Sequence, residues 1–368
     1  YNRPFFFGYQ DNMNKGERNI TARVFLLSFA LALAFPFVVI SQTKGNGLYP
    51  VSDNDKAGYI DRTGKVVIPL IFDRTEYFSE GLAPVMVDRQ RFPNVPIDFG
   101  KWGYIDTSGN WVIKPTFDYA ENFFEGLAVV DVGGKLGYID KSGRFVIEPK
   151  YWSAEGFHEG VGRVIIDQKN VVYSFIDRQG KVLFNVESAS WVDDFSEGQA
   201  SVTYQETKKH GYVDKNGTVT ILEGYSEADS FSDGLACVWK DKKVGFIDGK
   251  HNVVIPFQFD SCGDFNEGFA PVEIGDKWGY IDRTGKVIIP PKFYEARFFV
   301  NGLAAVSNDD EEWGFIDKKG RMVIGYKFGH VGPFIDGVAR VTGGAEFTYL
   351  IGYINAKGRY IWKAKKPY

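Results

Sequence analysis

Four histidines, two cysteines and a recurring carboxylate are the side chains of this chain with the most direct claim to chemistry. His158, His210, His251 and His330 would act as metal ligands or general bases only if the fold gathered them, and nothing in their spacing groups them. Cys237 and Cys262 are too few for a disulfide framework or for a structural zinc site, which takes about four ligands. In an oxidising compartment the two could pair across neighbouring segments. The chain holds no Gly-x-Ser-x-Gly elbow, no phosphate-binding Walker loop, no His-Glu-x-x-His and no Asp-x-Asp-x-Asp-Gly calcium loop. The expectation is a protein that is not an enzyme and needs no metal or cofactor.

The carboxylates do follow a pattern. Glu80, Glu125, Glu159, Glu197, Asp233, Glu267 and Asp336 each stand immediately before a glycine, with Asn301 once in the same place. Aligned on one edge they would form a stripe that binds cations or docks a partner; as turn residues they would instead accept backbone amide hydrogen bonds. The glycine they precede opens a Gly-Leu-Ala-x-Val run or a variant of it, at Gly47, Gly81, Gly126, Gly160, Gly198, Gly234, Gly268, Gly302 and Gly337. A second landmark, the start of a Gly-Tyr-Ile-Asp run, falls at Gly58, Gly103, Gly137, Ser174, Gly211, Gly245, Gly279, Gly314 and Gly352. Nine of each means nine repeats of about 34–38 residues, and a period of that size marks stacked units.

Each unit reads as three short strands. In the copy from Lys277 to Val306, KWGYID leads through a turn to a Val/Ile run ending in Pro, and Gly-Leu-Ala-x-Val follows. The Asp that closes Gly-Tyr-Ile-Asp, as at Asp140 or Asp282, is followed three residues on by Gly, the signature of a tight hairpin turn whose Asp can bond the turn's own amides. Three residues before the last eight landmark glycines lies a Phe: Phe78, Phe123, Phe157, Phe195, Phe231, Phe265, Phe299 and Phe334. Rings at one repeat position predict a buried ladder that joins the units. Ser174 in place of Gly, and His251 where the turn Gly belongs, predict distorted hairpins.

The fold class expected is all-β, with nine three-stranded β-meanders in an open, twisted, solenoid-like array. Nine units exceed the four to eight blades usual for a closed β-propeller, which is the alternative, and propeller blades normally carry four strands. The aromatic content of 16% and the 42 Gly favour strands and turns over helices. A net charge of -4 gives no electrostatic footprint for nucleic acid.

Residues 1–12 read as an upstream or truncated segment and 13–41 as a signal peptide: Met13, the basic Lys15, Arg18 and Arg23, an apolar run from Val24 to Ile40, then Ser41 at a cleavage position. The same run, interrupted by Pro36, is at the lower limit for a membrane anchor, which is the alternative. Either way the expected location is exported, periplasmic or extracellular, with the membrane reached only through this segment if it is not cleaved. Residues 42–46 form a short linker, 47–362 the repeat domain and 363–368 a basic tail.

KWGYID at Lys101 to Asp106 and at Lys277 to Asp282, and EWGFID at Glu312 to Asp317, resemble the signature of the bacterial WG-repeat family. Only Trp102, Trp278 and Trp313 supply its Trp; Ala57, Leu136, Tyr173, His210, Val244 and Ile351 stand in that place elsewhere. The resemblance implies an all-β repeat protein without established enzymatic activity that mediates interactions. The three Trp, with Arg89, Arg91 and Phe92 of an insertion between Asp88 and Gly100, make up the candidate interaction surface. The function expected is an exported scaffold that binds a protein or other macromolecule; the alternative is a propeller-type lectin that stacks sugars on exposed aromatics.

Overall fold

The computed structural model describes residues 47–91, 99–169, 171–343 and 350–365. The segments read as signal peptide and linker, and Phe92 with the centre of the insertion, lie outside them. Every regular element among the described residues is a β-strand, and no helix there is long and apolar enough to cross a membrane.

One unit explains the rest. Leu127–Val132 and Lys135–Asp140 form an antiparallel hairpin, because Leu127, Val129 and their alternates stand on opposite faces of a strand that is covered on both sides. Asp140 Oδ1 then accepts the backbone N–H of Ser142 at 2.8 Å and that of Arg144 at 3.2 Å, and Gly143 follows with φ 84°, so the chain reverses into Phe145–Tyr151. These bonds, led by the one from the Ser142 hydroxyl, hold the Asp140 carboxyl down at about 2. The three-stranded reading is corrected by a fourth, two-residue strand, Tyr119–Ala120, which pairs with the Gly-Leu-Ala strand. A strand that short shows no alternation, which is why the sequence hides it. His251 also corrects an expectation: it adopts φ 65° and closes its turn with His251 N–H on Asp248 O at 2.8 Å, so that hairpin is regular.

Six sheets have this four-stranded form. The first sheet, Tyr49 to Phe72, has three strands, and the last two units are fused into seven strands through Met322–Val331. We number the units 1 to 9 along the chain.

The units close on themselves. Each ladder Phe is buried and packs on the Tyr or Phe of Gly-Tyr-Ile-Asp in the unit before it; Phe123 on Tyr104 and Phe265 on Phe246, for example, have ring centroids 4.9 Å apart. At the ends of the chain Tyr353 of unit 9 packs on Tyr49 of unit 1 at 5.7 Å and donates its hydroxyl to Pro50 O at 2.7 Å. Val338 and Trp362 share a core with Val51 and Ile60. Gly64 of unit 1 lies so close to unit 9 that a Cβ on it would stand 1.9 Å from Ile361 O. The open array is therefore corrected to a ring. The open form is expected from nine units, more than the usual four to eight blades, and from three strands per unit; the ring closes with nine units, and the short strand supplies the fourth.

That short strand faces the ring's axis. Contacts that skip a unit occur there: the hydroxyls of Tyr77 in unit 2 and Tyr353 in unit 9 approach to 3.5 Å. Charges also act across a skipped unit there, Arg340 of unit 9 on Glu76 of unit 2 and Asp194 of unit 5 on Glu121 of unit 3, so the channel wall along the axis includes the residue five before each of the last eight landmark glycines.

Candidate functional site

The carboxylate stripe next to the landmark glycines is a set of inter-unit staples. Glu80, Glu125, Glu159, Glu197, Asp233 and Glu267 each accept the N–H of the landmark Gly in the next unit, at 2.9 to 3.1 Å. All six hold φ between 51° and 53°, a left-handed conformation that turns the carboxylate toward its neighbour. Lys141, Lys215 and Lys318 add ion pairs to Glu80, Glu159 and Glu267 at 2.9 to 3.0 Å. Arg62 on Asp336 at 3.3 Å repeats the pairing across the closing seam.

The proposed Trp surface is corrected. Trp102 and Trp313 are 5% exposed and belong to the core, Trp313 lying under the Arg297 guanidinium at 4.4 Å. Trp278 is half-buried against the core of units 7 and 8. Their strand faces the next sheet, so an indole there fills the seam. Arg91 pairs with Asp55 of the first hairpin at 2.8 Å and Arg89 with the same carboxylate at 3.6 Å, which ties the insertion back to unit 1. Of the histidines, His251 stacks on Tyr212 and donates from Nε2 to Gln199 Oε1 at 2.7 Å, and His158 lies 3.8 Å from Asp194.

A cavity of about 590 Å³ lies between units 2, 3 and 4. Five carboxylates line it: Asp88, Asp118, Glu121, Asp131 and Glu155. Phe99, Tyr119 and Trp152 give it aromatic walls, all three half-buried, with Trp102 behind Tyr119 at 5.9 Å, edge to face. Lys101 also lines the cavity, and it is already paired with Asp118 at 2.8 Å. Asp118 and Asp131 are further held by the N–H groups of Gly133 and Gly134 in the adjoining hairpin.

Glu121 and Glu155 belong both to this cavity and to the channel wall. Their repeat position carries Glu76, Glu121, Glu155, Asp193 and Asp229 in units 2 to 6, then Gly263, Arg297 and Gly332. Burial, then the neighbouring Glu155 and Asp194, push the Glu121 carboxyl well above the usual range, and among the described residues no cation pairs with it. Burial also raises Glu155, but Arg163 opposes it from 3.8 Å. Arg163 itself is 8% exposed, donates to Asp194 at 3.1 Å and lies near the rings of Tyr173 and Trp191. Burial alone would lower its pKa, and Asp194 and Glu155 more than offset that. Aligning the units on their landmark Gly and reading five positions upstream brings out this arc, which the residue adjacent to the Gly does not show.

Among known proteins, the sequence model of the WG containing repeat matches seven segments, 58–89, 102–135, 137–169, 211–243, 245–278, 278–311 and 313–342, more than half of the chain. No curated protein matches. Similar solved structures include BamB from Moraxella catarrhalis, 11% identical over 80% of this chain and 94% of that one, with a TM-score of 0.41. Apo AztD from Citrobacter koseri is 12% identical over 87% and 95%, with a TM-score of 0.42. These likenesses are too remote for a role to be carried across. The seven matches and the repeat geometry agree: the chain belongs to the WG-containing repeat family.

Proposed function

We propose that this protein is a non-enzymatic, exported binding ring that engages a protein partner through a basic side chain seated in the cavity of units 2 to 4. One observation carries the reading: five carboxylates and one lysine line the cavity, and among the described residues Glu121, unlike Glu155 with Arg163, has no cationic partner. An ammonium or guanidinium group would relieve the repulsion among Glu121, Glu155 and Asp194 and find Tyr119 and Trp152 for its face. Export is supported by the bond between Cys237 and Cys262, since disulfides persist in oxidising compartments, and by the basic and apolar N-terminal pattern.

Calorimetry with an unstructured peptide carrying Lys and Arg tests the reading. Binding should weaken with salt, disappear when the lysines are acetylated and the arginines replaced by glutamine, and fall about tenfold or more in Glu121→Gln/Glu155→Gln. Because an arriving cation favours the ionised carboxylate, binding should release protons and tighten as pH rises above the ordinary carboxylate range. Equal affinity for the basic and neutralised peptides sinks the proposal. The aromatic walls favour a second reading, a lectin. Quenching of Trp fluorescence by a neutral oligosaccharide, insensitive to salt, would select it instead.

A further inference from the structure

Units 6 and 7 are joined by a feature the other seams lack. Cys237, in the strand Leu235–Lys240 of unit 6, is bonded to Cys262, in the short strand Ser261–Cys262 of unit 7, with Cα atoms 6.6 Å apart. Asp229 completes the group: one carboxylate oxygen and the two sulfurs all lie within 4.8 Å of one another. Its backbone is fixed on both sides, the N–H donating to Cys237 O at 3.0 Å and the carbonyl accepting the Tyr212 hydroxyl at 2.6 Å. The carboxylate is thereby held beside the sulfurs by the sheet itself. Cys237 is buried, while Cys262 and Asp229 are half-buried.

We propose that reduction of this bond exposes a metal site in which the two thiolates and the Asp229 carboxylate hold one thiophilic divalent cation, Zn²⁺ being the best fit, with water in the fourth position. Two thiolates and one carboxylate select such an ion over Mg²⁺ or Ca²⁺, which take oxygen ligands. At a Zn–S distance of about 2.3 Å, tetrahedral geometry sets the sulfurs about 3.8 Å apart, a separation within reach of two side chains that now share a bond. The chemistry balances with a small dithiol as reductant. Its thiolate attacks the sulfur of Cys262, the less buried of the two residues, and the mixed disulfide resolves to the reductant's cyclic disulfide, leaving Cys237 and Cys262 as thiols. The cation then displaces their two protons. The cation would take over the cross-link that the disulfide supplies, so the seam would be bridged in either redox state.

Cobalt reports on this directly. Full-length protein reduced with dithiothreitol, desalted without air and titrated with Co²⁺ should bind one equivalent with a thiolate-to-cobalt charge-transfer band. The oxidised protein should show none. Zn²⁺ should bleach the band, and Cys262→Ser should remove at least half of its intensity. Asp229→Asn should keep the band but weaken affinity about tenfold or more. That variant also separates a folded site from thiols in an unfolded chain, which would not sense residue 229. Absence of the band in reduced protein with native circular dichroism overturns the proposal, as does unchanged affinity in Asp229→Asn.

Discussion

The seams between units and the wall of the axial channel are made from the same repeat, and they use it in opposite ways. At the seams the side chains recur: a Phe on the ring of the preceding unit, and in six units a carboxylate on the glycine N–H of the next. Along the channel the backbone recurs and the side chains do not, running from five successive acids to Gly263, Arg297 and Gly332. A closed ring requires every junction to fit, so the residues that make junctions are held alike; the axis imposes no such match. Chemistry specific to this protein is therefore to be sought where the repeat varies.

The largest expected effect tests the seam side of that contrast. Phe123 is fully buried between units 2 and 3, so Phe123→Ala should cost about 3–5 kcal/mol in urea denaturation. Glu121→Gln, two residues away on the channel wall, should cost far less at neutral pH. If the two substitutions prove equally damaging, the division between seam and wall fails.

A smaller effect asks whether the closing seam equals the others. Tyr104 donates its hydroxyl to Glu121 O at 2.7 Å across an internal seam, and Tyr353 donates to Pro50 O at the same distance across the closing one. Tyr→Phe at either position should cost about 1–2 kcal/mol, since each leaves a carbonyl without its donor. A loss at Tyr104 with none at Tyr353 would mean that the ring is open in solution.

The repeat itself was legible because nine copies impose one register, and the family signature followed from KWGYID at Lys101 and Lys277. The ladder was legible too, since a Phe at one offset in eight units has little else to do. The short strand was not: Tyr119–Ala120 spans too few residues for a period of two, and three strands per unit together with a count of nine units pointed to an open array. Trp102 was misplaced for a related reason. A lone strand does not reveal that its outer face is covered by the next sheet, so a buried indole reads as a platform. The cavity draws on three units, and only superposing them places Glu121 beside Glu155.

The finest test concerns protonation on the channel wall. Glu121 has its carboxyl raised by burial first, then by Glu155 and Asp194, so the folded state holds that proton more tightly than the unfolded chain does. Its contribution to stability is then fully present below the unfolded Glu pKa of about 4.3 and is lost as pH rises toward the folded value. Glu121→Gln removes this loss. Its melting temperature should gain on the wild type between pH 5 and pH 8, while Phe123→Ala should trail the wild type by the same margin at both. Glu155→Gln should gain less, because Arg163 already offsets part of the cost of ionising Glu155. Parallel melting profiles for Glu121→Gln and wild type across this range would show that Glu121 ionises freely, and the wall would then lack the uncompensated charge on which its contrast with the seams depends.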